Sequence, residues 1–443
     1  MSEVEKAKIS RRKYLKYGGG IVAVAVVAAA GYGIYEVTKP KPGPVTIKLM
    51  MESVPDTDLT QKLVPEFEEA TGIKVVIEVF SYAVMHEKLV TILMSTEGYY
   101  DVIVVDNPWV GEFDETGWIE NLDPFIEKHS EIRVDDYVDS IAWMNGKYIR
   151  DGKWYMFPFY NYGLALVYRT DIFQKYGVEV PKTWEEFYEV VKKLTMDTNG
   201  DGKIDLYGCA AQAKRGYKIV EEGMNYVYGF GGDIFDENWR PIINSPEAAK
   251  ALELYKKVVY EASPPGSVNW EFDEAIASFK AGEAATMITY NPMFTWVNEP
   301  EFSPNTAGKV GIVPVPGGKA VLGGWGWAVP KNSPHKDAAY EFLAWVANPE
   351  TERKRSSIGS VGVTRKSTFN DPELQKKHPY YPQLLEAVQK AKPLPGIPQG
   401  EQIVHILGEE FSNAMVGAKP TEVALNDCAT RLYELMKSSG LYG

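Results

Sequence analysis

Cysteine is nearly absent from this chain, with Cys209 and Cys428 the only two in 443 residues. Two cysteines make neither a disulfide framework nor a cysteine-type zinc site. Export from the cytosol would permit one bridge between them; two free buried thiols are the alternative. Histidine is also scarce: His86, His129, His335, His378 and His405 are scattered without metal-ligand spacing. Positive charge is in deficit, Lys+Arg 47 against Asp+Glu 60, a net of −13. Beyond the N-terminus no basic patch offers itself to nucleic acid against that field. No Walker loop, HExxH, GxSxG or CxxC is present. Long apolar runs are absent apart from one, which excludes a multi-spanning membrane protein. Apolar residues at 45% and charged residues at 24% are ordinary for a globular chain. The length suggests two to four domains at roughly 100–200 residues each. Aromatic residues are plentiful, at 12%, with 27 Tyr and 11 Trp.

The single apolar run lies near the start. Ser2–Lys16 carries Lys6, Lys8, Arg11, Arg12, Lys13 and Lys16, and Tyr17–Tyr35 carries no charge. At about 1.5 Å per residue that run reaches roughly 28 Å, enough to cross a bilayer core. Bases ahead of it favour an inside N-terminus and an exported remainder. Ser10–Lys16 (SRRKYLK) resembles a twin-arginine export signal. Ala28-Ala29-Ala30 suits cleavage, and the same run suits a retained anchor. Thr38–Pro44 reads as a short stiff spacer. The rest is therefore expected at the outer face of the cytoplasmic membrane, in an extracellular or periplasmic location.

After the spacer, strand and helix signals alternate. Val45–Met51 alternates as a strand. A helix follows through Leu59, Leu63 and Phe67, with an Asp or Thr expected to cap it and Gly72 to stop it. Ile73–Phe80 is a second strand, Val84–Ser95 a second helix, and Asp101–Asp106 a buried central strand. That order predicts a parallel doubly wound sheet, whose ligands sit at the carboxyl ends of strands. Those ends are Glu52–Asp58 and Asp106–Glu112. In a second unit, Gly163–Tyr168, Ala284–Tyr290 and Val310–Val315 read as strands. Thr183 to Leu194, Ala248–Glu261 and Asp273–Ala281 read as helices, with a capping box at Thr183 and Glu186. The tail from Pro382 reads as helical, interrupted at Lys392–Pro398.

Several segments together carry a family resemblance. They are Val64–Val75, Asp101–Phe113, Gly117–Ile119, Leu122–Phe125, Tyr168–Asp171, Pro181–Phe187, Phe230–Gly232, Gly282–Met287, Gly323–Val329 and Ala339–Trp345. In order and spacing the chain resembles the family 1 extracellular solute-binding proteins of ABC importers, the maltose-binding-protein-like class. The resemblance implies an α/β fold of the two-lobed, periplasmic-binding-protein-like type II form, with a hinge and an interlobe cleft. It implies lobe one at 45–159 and 321–368, and lobe two at 160–320 and 369–443, behind an export signal or anchor at 1–44. It implies that a solute, most simply a sugar or oligosaccharide, is captured by lobe closure and passed to an ABC permease and its ATPase, without chemistry.

A sugar receptor needs flat aromatic surfaces for C–H faces and fixed polar groups for hydroxyls. Trp109, just past the central strand, is expected to line the cleft, with Asp106 and Asn107 facing it or capping the turn. Glu52, Ser53 and Asp56 end the first strand and either face the cleft or cap the next helix. Tyr160, Asn161 and Tyr162 fall where the family's chain crosses between lobes and lines the cleft. Tyr290 and Asn291 end another strand. Trp325 and Trp327 sit among Gly323, Gly324 and Gly326, and glycines let a backbone approach a ligand or turn sharply; Trp325 is expected as a stacking platform and Trp327 is the weaker choice, with both as core residues the alternative. Arg365 could reach a polar ligand or stay solvated. Trp118, Trp184 and Trp345 read as core.

Asp197, Asn199, Asp201 and Asp205 match the start of a calcium loop, with Gly202 at its sixth position but Gly208 in place of the bidentate Glu. Calcium is thus the one cofactor weighed; an Asx/Gly turn is the alternative. Non-sugar solutes (a polyamine, a polyol phosphate or a peptide) fit the same fold, and a secreted glycosidase could use two carboxylates without any motif.

Overall fold

The computed structural model describes residues 45–148, 151–440 and 442. The basic leader and its apolar run lie outside the described residues, as does the anchor helix expected from them. Among the described residues no helix is long and apolar enough to cross a membrane.

The first strand–helix alternation forms as its pattern dictates. Strand β1 (Thr46–Glu52) buries Ile47, Leu49, Met50 and Met51. Helix α1 (Pro55–Thr71) starts on a proline, whose fixed φ suits a first helical turn, and ends on Gly72 at φ 78°. The side-chain cap expected at its start is absent: Val54 holds the cap position. Thr57 instead donates to the Glu52 carbonyl (2.6 Å). Strand β2 (Lys74–Phe80) pairs parallel with β1 from Thr46↔Lys74 to Glu52↔Phe80. Helix α2 (Tyr82–Leu93) leads to β3 (Val102–Asp106), buried along its whole length and parallel to β1.

Strand β4 (Phe157–Arg169) is thirteen residues long, far beyond the Gly163–Tyr168 strand read from sequence. The later strands are β5 (Tyr207–Cys209), β6 (Ala284–Tyr290), β7 (Val310–Pro314) and β8 (Leu322–Ala328). Strand β8 inserts antiparallel between β3 and the first half of β4, so the expected parallel sheet is in fact mixed. The second half of β4 pairs with β6 and β7 instead. One strand therefore serves two sheets, β2-β1-β3-β8-β4 and β7-β4-β6-β5, and the handover falls between Gly163 and Leu164. At this crossing Leu164 donates its amide to Val321 (3.0 Å), and Val321 bridges Lys392.

Helix α3 (Tyr217–Gly229) packs against α4 (Pro246–Glu261) and α5 (Gly400–Met415), and α5 packs on α6 (Thr421–Ser438). In its third turn the buried Asn225 accepts the Val321 amide (2.8 Å), which ties α3 to the crossing. The capping box at Thr183 and Glu186 is present. Trp184 stacks on Tyr226 at 3.7 Å between centroids, and Trp345 packs on Phe67, as core residues should. Cys209 and Cys428 are both buried free thiols.

Glycine is required in β8 by its neighbours. A Cβ on Gly326 would stand 2.4 Å from the Asn145 carbonyl oxygen and from Met156 Cβ. Gly326→Ala should therefore cost about 1–3 kcal/mol through overpacking, read as a lower denaturation midpoint with an unchanged slope.

Candidate functional site

The carboxyl ends of β1 and β3 deliver Glu52 and Asp106 to the crossing. In the sheet Asp106 stands opposite Trp325, and Trp325 opposite Tyr160, so three side chains from three strands share one row. The Tyr162 hydroxyl donates to Asp106 Oδ1 (2.7 Å), which also accepts the Asn107 amide (2.9 Å). The Tyr160 hydroxyl donates to Glu52 Oε2 (2.6 Å). Pro108 bends the chain after β3 into a 3₁₀ turn that brings Trp109 edge-on to Trp325, 5.2 Å between centroids. Tyr82, the first residue of α2, stacks on Trp109 (5.6 Å) and meets Trp325 edge-on (6.1 Å).

The other sheet closes the cluster. Tyr217 opens α3 and approaches Tyr82 (6.3 Å). Tyr290, at the end of β6, meets Tyr162 edge-on at 5.0 Å. The Tyr290 hydroxyl donates to Glu221 Oε2 (2.6 Å), and the Lys218 ammonium contacts both that hydroxyl and Glu221 (2.9 Å). Asp106, Tyr160 and Trp325 are at most 1% exposed, whereas Tyr82 is 37% exposed and Glu52, Tyr217, Lys218 and Tyr290 are half-buried, so the cluster has a dry floor and a rim in reach of water.

Burial sets the electrostatics. It pushes the Glu52 carboxyl up to about 7, against the opposing pull of the Tyr160 hydroxyl and Lys218. It pushes Asp106 well above the carboxylate range, and the nearby Glu52 charge adds to this. Glu221 is also raised by burial, with Lys218 opposing. An arrangement of flat rings and buried carboxyls can hold C–H faces and donor groups of a small solute.

Residues 53–353 match the family of bacterial extracellular solute-binding proteins. The chain belongs to that family. Among its relatives is a probable amino-acid ABC transporter periplasmic-binding protein of Sinorhizobium fredii, 27% identical over 380 residues, 85% of each chain. A mannitol-binding protein of Pseudomonas aeruginosa is 26% identical over 410 residues, 86% of this chain and 90% of the other. The crystal structure of an ABC transporter solute-binding protein of Agrobacterium radiobacter, in complex with ribitol, superposes with a TM-score of 0.78 at 30% identity. That match covers 90% of this chain and 100% of the other. The fold is the mixed α/β, periplasmic-binding-protein-like one, and members of this family bind small solutes outside the cytoplasm for ABC importers.

Not every residue singled out in the sequence of this solute-binding protein joins the cluster. Glu52, Asp106, Trp109, Tyr160, Tyr162, Tyr290 and Trp325 do. Ser53 is exposed, its amide bonded to Phe80. Asn107 is buried in the turn that Asp106 caps. Asp56 faces the other way, onto Ser360 and Arg355 (3.3 Å). Asn161 and Asn291 spend their amide groups on the Val363 and Val361 carbonyls, pinning the 361–363 segment. Arg365 is neither solvated nor in the cluster. It lies 3.8 Å over the Tyr137 ring and donates to the Arg133 and Ala347 carbonyls. The glycines of β8 do not make room for a ligand: a Cβ on Gly323 would strike the Tyr162 ring, and one on Gly324 the Asn145 side chain. Trp327 packs on Phe159 at 4.3 Å in the core.

The Asp197–Asp205 loop turns its oxygens inward. Asp197 accepts the amides of Asn199, Gly200 and Gly202, and Asp205 accepts that of Thr198. Among the described residues no three His, Cys, Asp or Glu side chains converge to hold a metal.

Tyr82, Tyr217, Lys218 and Glu221 escaped the sequence reading. Tyr82 was within reach of the strand-end rule, since β2 ends two residues before it. Lys218 and Glu221 look like a solvated i,i+3 pair on an amphipathic helix, and only the tertiary fold buries them.

The raised Glu52 carboxyl makes stability depend on pH with a definite sign. Its folded value of about 7 lies above the ordinary 4.5. The folded state therefore holds its proton longer than the unfolded one, and this stabilisation, complete below about 4.5, is lost as pH rises through about 7. Relative to Glu52→Gln, the wild type should lose melting temperature between pH 4.5 and 7.5 and run parallel to it above 8.

Proposed function

We propose that this protein captures a sugar or sugar-like polyol outside the cytoplasmic membrane and hands it, chemically unchanged, to an ABC permease driven by its ATPase. The observation that carries this reading is the cluster of rings and carboxyls assembled from both sheets: the buried Trp109 and Trp325 with Tyr82 on one side, the half-buried Tyr217 and Tyr290 on the other. A solute held between them adds contacts that only the closed arrangement provides, so it shifts the population toward closure. The relatives named for mannitol and ribitol support a hydroxyl-rich ligand. The basic leader and the uncharged run at Tyr17–Tyr35 support export, with the run serving as signal or as tether.

A thermal-shift screen over mannitol, ribitol, maltose, arabinose and the common amino acids tests this, because a solute that binds the native state raises its melting temperature. A sugar or polyol should give the largest shift and compact the protein in small-angle scattering. Turnover of the sugar, or a shift with amino acids alone, would overturn the reading. Trp109→Ala and Trp325→Ala should each weaken binding of the selected sugar by about 1–3 kcal/mol, as lost aromatic contact does, measured by titration calorimetry.

A further inference from the structure

The cluster is rich in acceptors. Glu52, Asp106 and Glu221 bring three carboxyl groups to it, and Glu401 lies close enough for its charge to act on Tyr82 and Tyr217. Among the described residues, Lys218 is the cation in contact with these groups. His86 packs on Trp109 but is engaged by Glu112 at 2.8 Å. Asp106 Oδ2 and Glu221 Oε1 have no hydrogen-bond partner, although their residues are 0% and 3% exposed. Both are acceptors, and a buried acceptor is costly unless a donor reaches it.

The rings around them suit a cation as well as a C–H face. Lys218 shows how an ammonium fits: its Nζ lies 4.4 Å over the Tyr290 ring and 5.6 Å over that of Tyr217, with Glu221 Oε2 at 2.9 Å. Ring faces attract cations, and most strongly where water is excluded. Tyr82, Trp109, Tyr162 and Trp325 surround Asp106 with further rings, without a second lysine or an arginine among them.

We propose that the solute carries a protonated amine, so that the cluster selects an amino sugar or amino polyol over its uncharged counterpart. The proposal rests on the reading of this cluster as the solute site. An ammonium brings three donors and one positive charge. It can satisfy Asp106 Oδ2 while its hydroxyl-bearing carbons lie on the Trp109 and Trp325 rings, and its charge favours the ionised carboxyls that burial alone disfavours. A hydroxyl brings one donor and no charge. Burial already drives Glu52 and Asp106 toward their protonated forms, as expected where the counter-charge arrives with the ligand.

Matched pairs test this on the full chain: glucosamine against glucose, and 1-amino-1-deoxysorbitol against sorbitol, by titration calorimetry at pH 7 and 0.15 M salt. The amine of at least one pair should bind ten-fold or more tighter than its neutral partner. In Glu221→Gln and Asp106→Asn the ratio of amine affinity to neutral affinity should fall at least three-fold, whatever happens to the affinity of the neutral member alone. The wild-type comparison stands even if a variant fails to fold. Neutral members binding as tightly as the amines, or tighter, would overturn the amine proposal and leave the sugar-receptor reading intact. Binding by neither members of these pairs nor any sugar or polyol of the wider screen would overturn both.

Discussion

The structure depends on strand β4 holding two sheets at once. Its first half is hydrogen-bonded to β8 and its second half to β6 and β7, with no loop between. A strand can change partners along its length only if its backbone groups are satisfied on both sides of the change. Here Leu164 meets Val321, and Asn161 uses its side chain to bond the Gly163 amide and the Val363 carbonyl. Four groups of the cluster are placed by reference to that handover: Tyr160 and Tyr162 just before it, Tyr290 opposite Leu164, and Trp325 opposite Tyr160. That part of the cluster is a by-product of the junction.

Placing carboxyls at such a junction has a cost, because dry surroundings disfavour their charge. The chain offsets it with tyrosine. Tyr160 serves Glu52, Tyr162 serves Asp106, and Tyr290 serves Glu221, each by a short hydroxyl donation. A tyrosine adds a ring face to the same wall, so one residue type supplies both the donor and the stacking surface. Three of the 27 tyrosines are used in this way.

The alternation of strand and helix, the glycine stop at Gly72 and the capping box at Thr183 were legible because they rest on neighbours in sequence. The strand-end rule found most of one wall of the cluster for the same reason. It did not find Lys218 and Glu221, whose burial depends on the other sheet arriving above them. It misjudged Arg365, since a guanidinium bonded to two backbone carbonyls and laid on a tyrosine has no local signature. Gly324 reads as ligand space from the sequence, whereas the Asn145 side chain fills that space. The mixed sheet was hidden because the antiparallel partner of β3 returns only after the second sheet has been built.

The bond between Asn225 and Val321 gives α3 a fulcrum. Tyr217 lies two helical turns away from it, about 12 Å at 1.5 Å per residue. A pivot of about ten degrees at that point swings the Tyr217 end through about 2 Å, roughly the difference between ring contact and a gap that water can enter. The gearing is low: making or breaking the contact between Tyr217 and Tyr82 takes only a slight rotation of the helix.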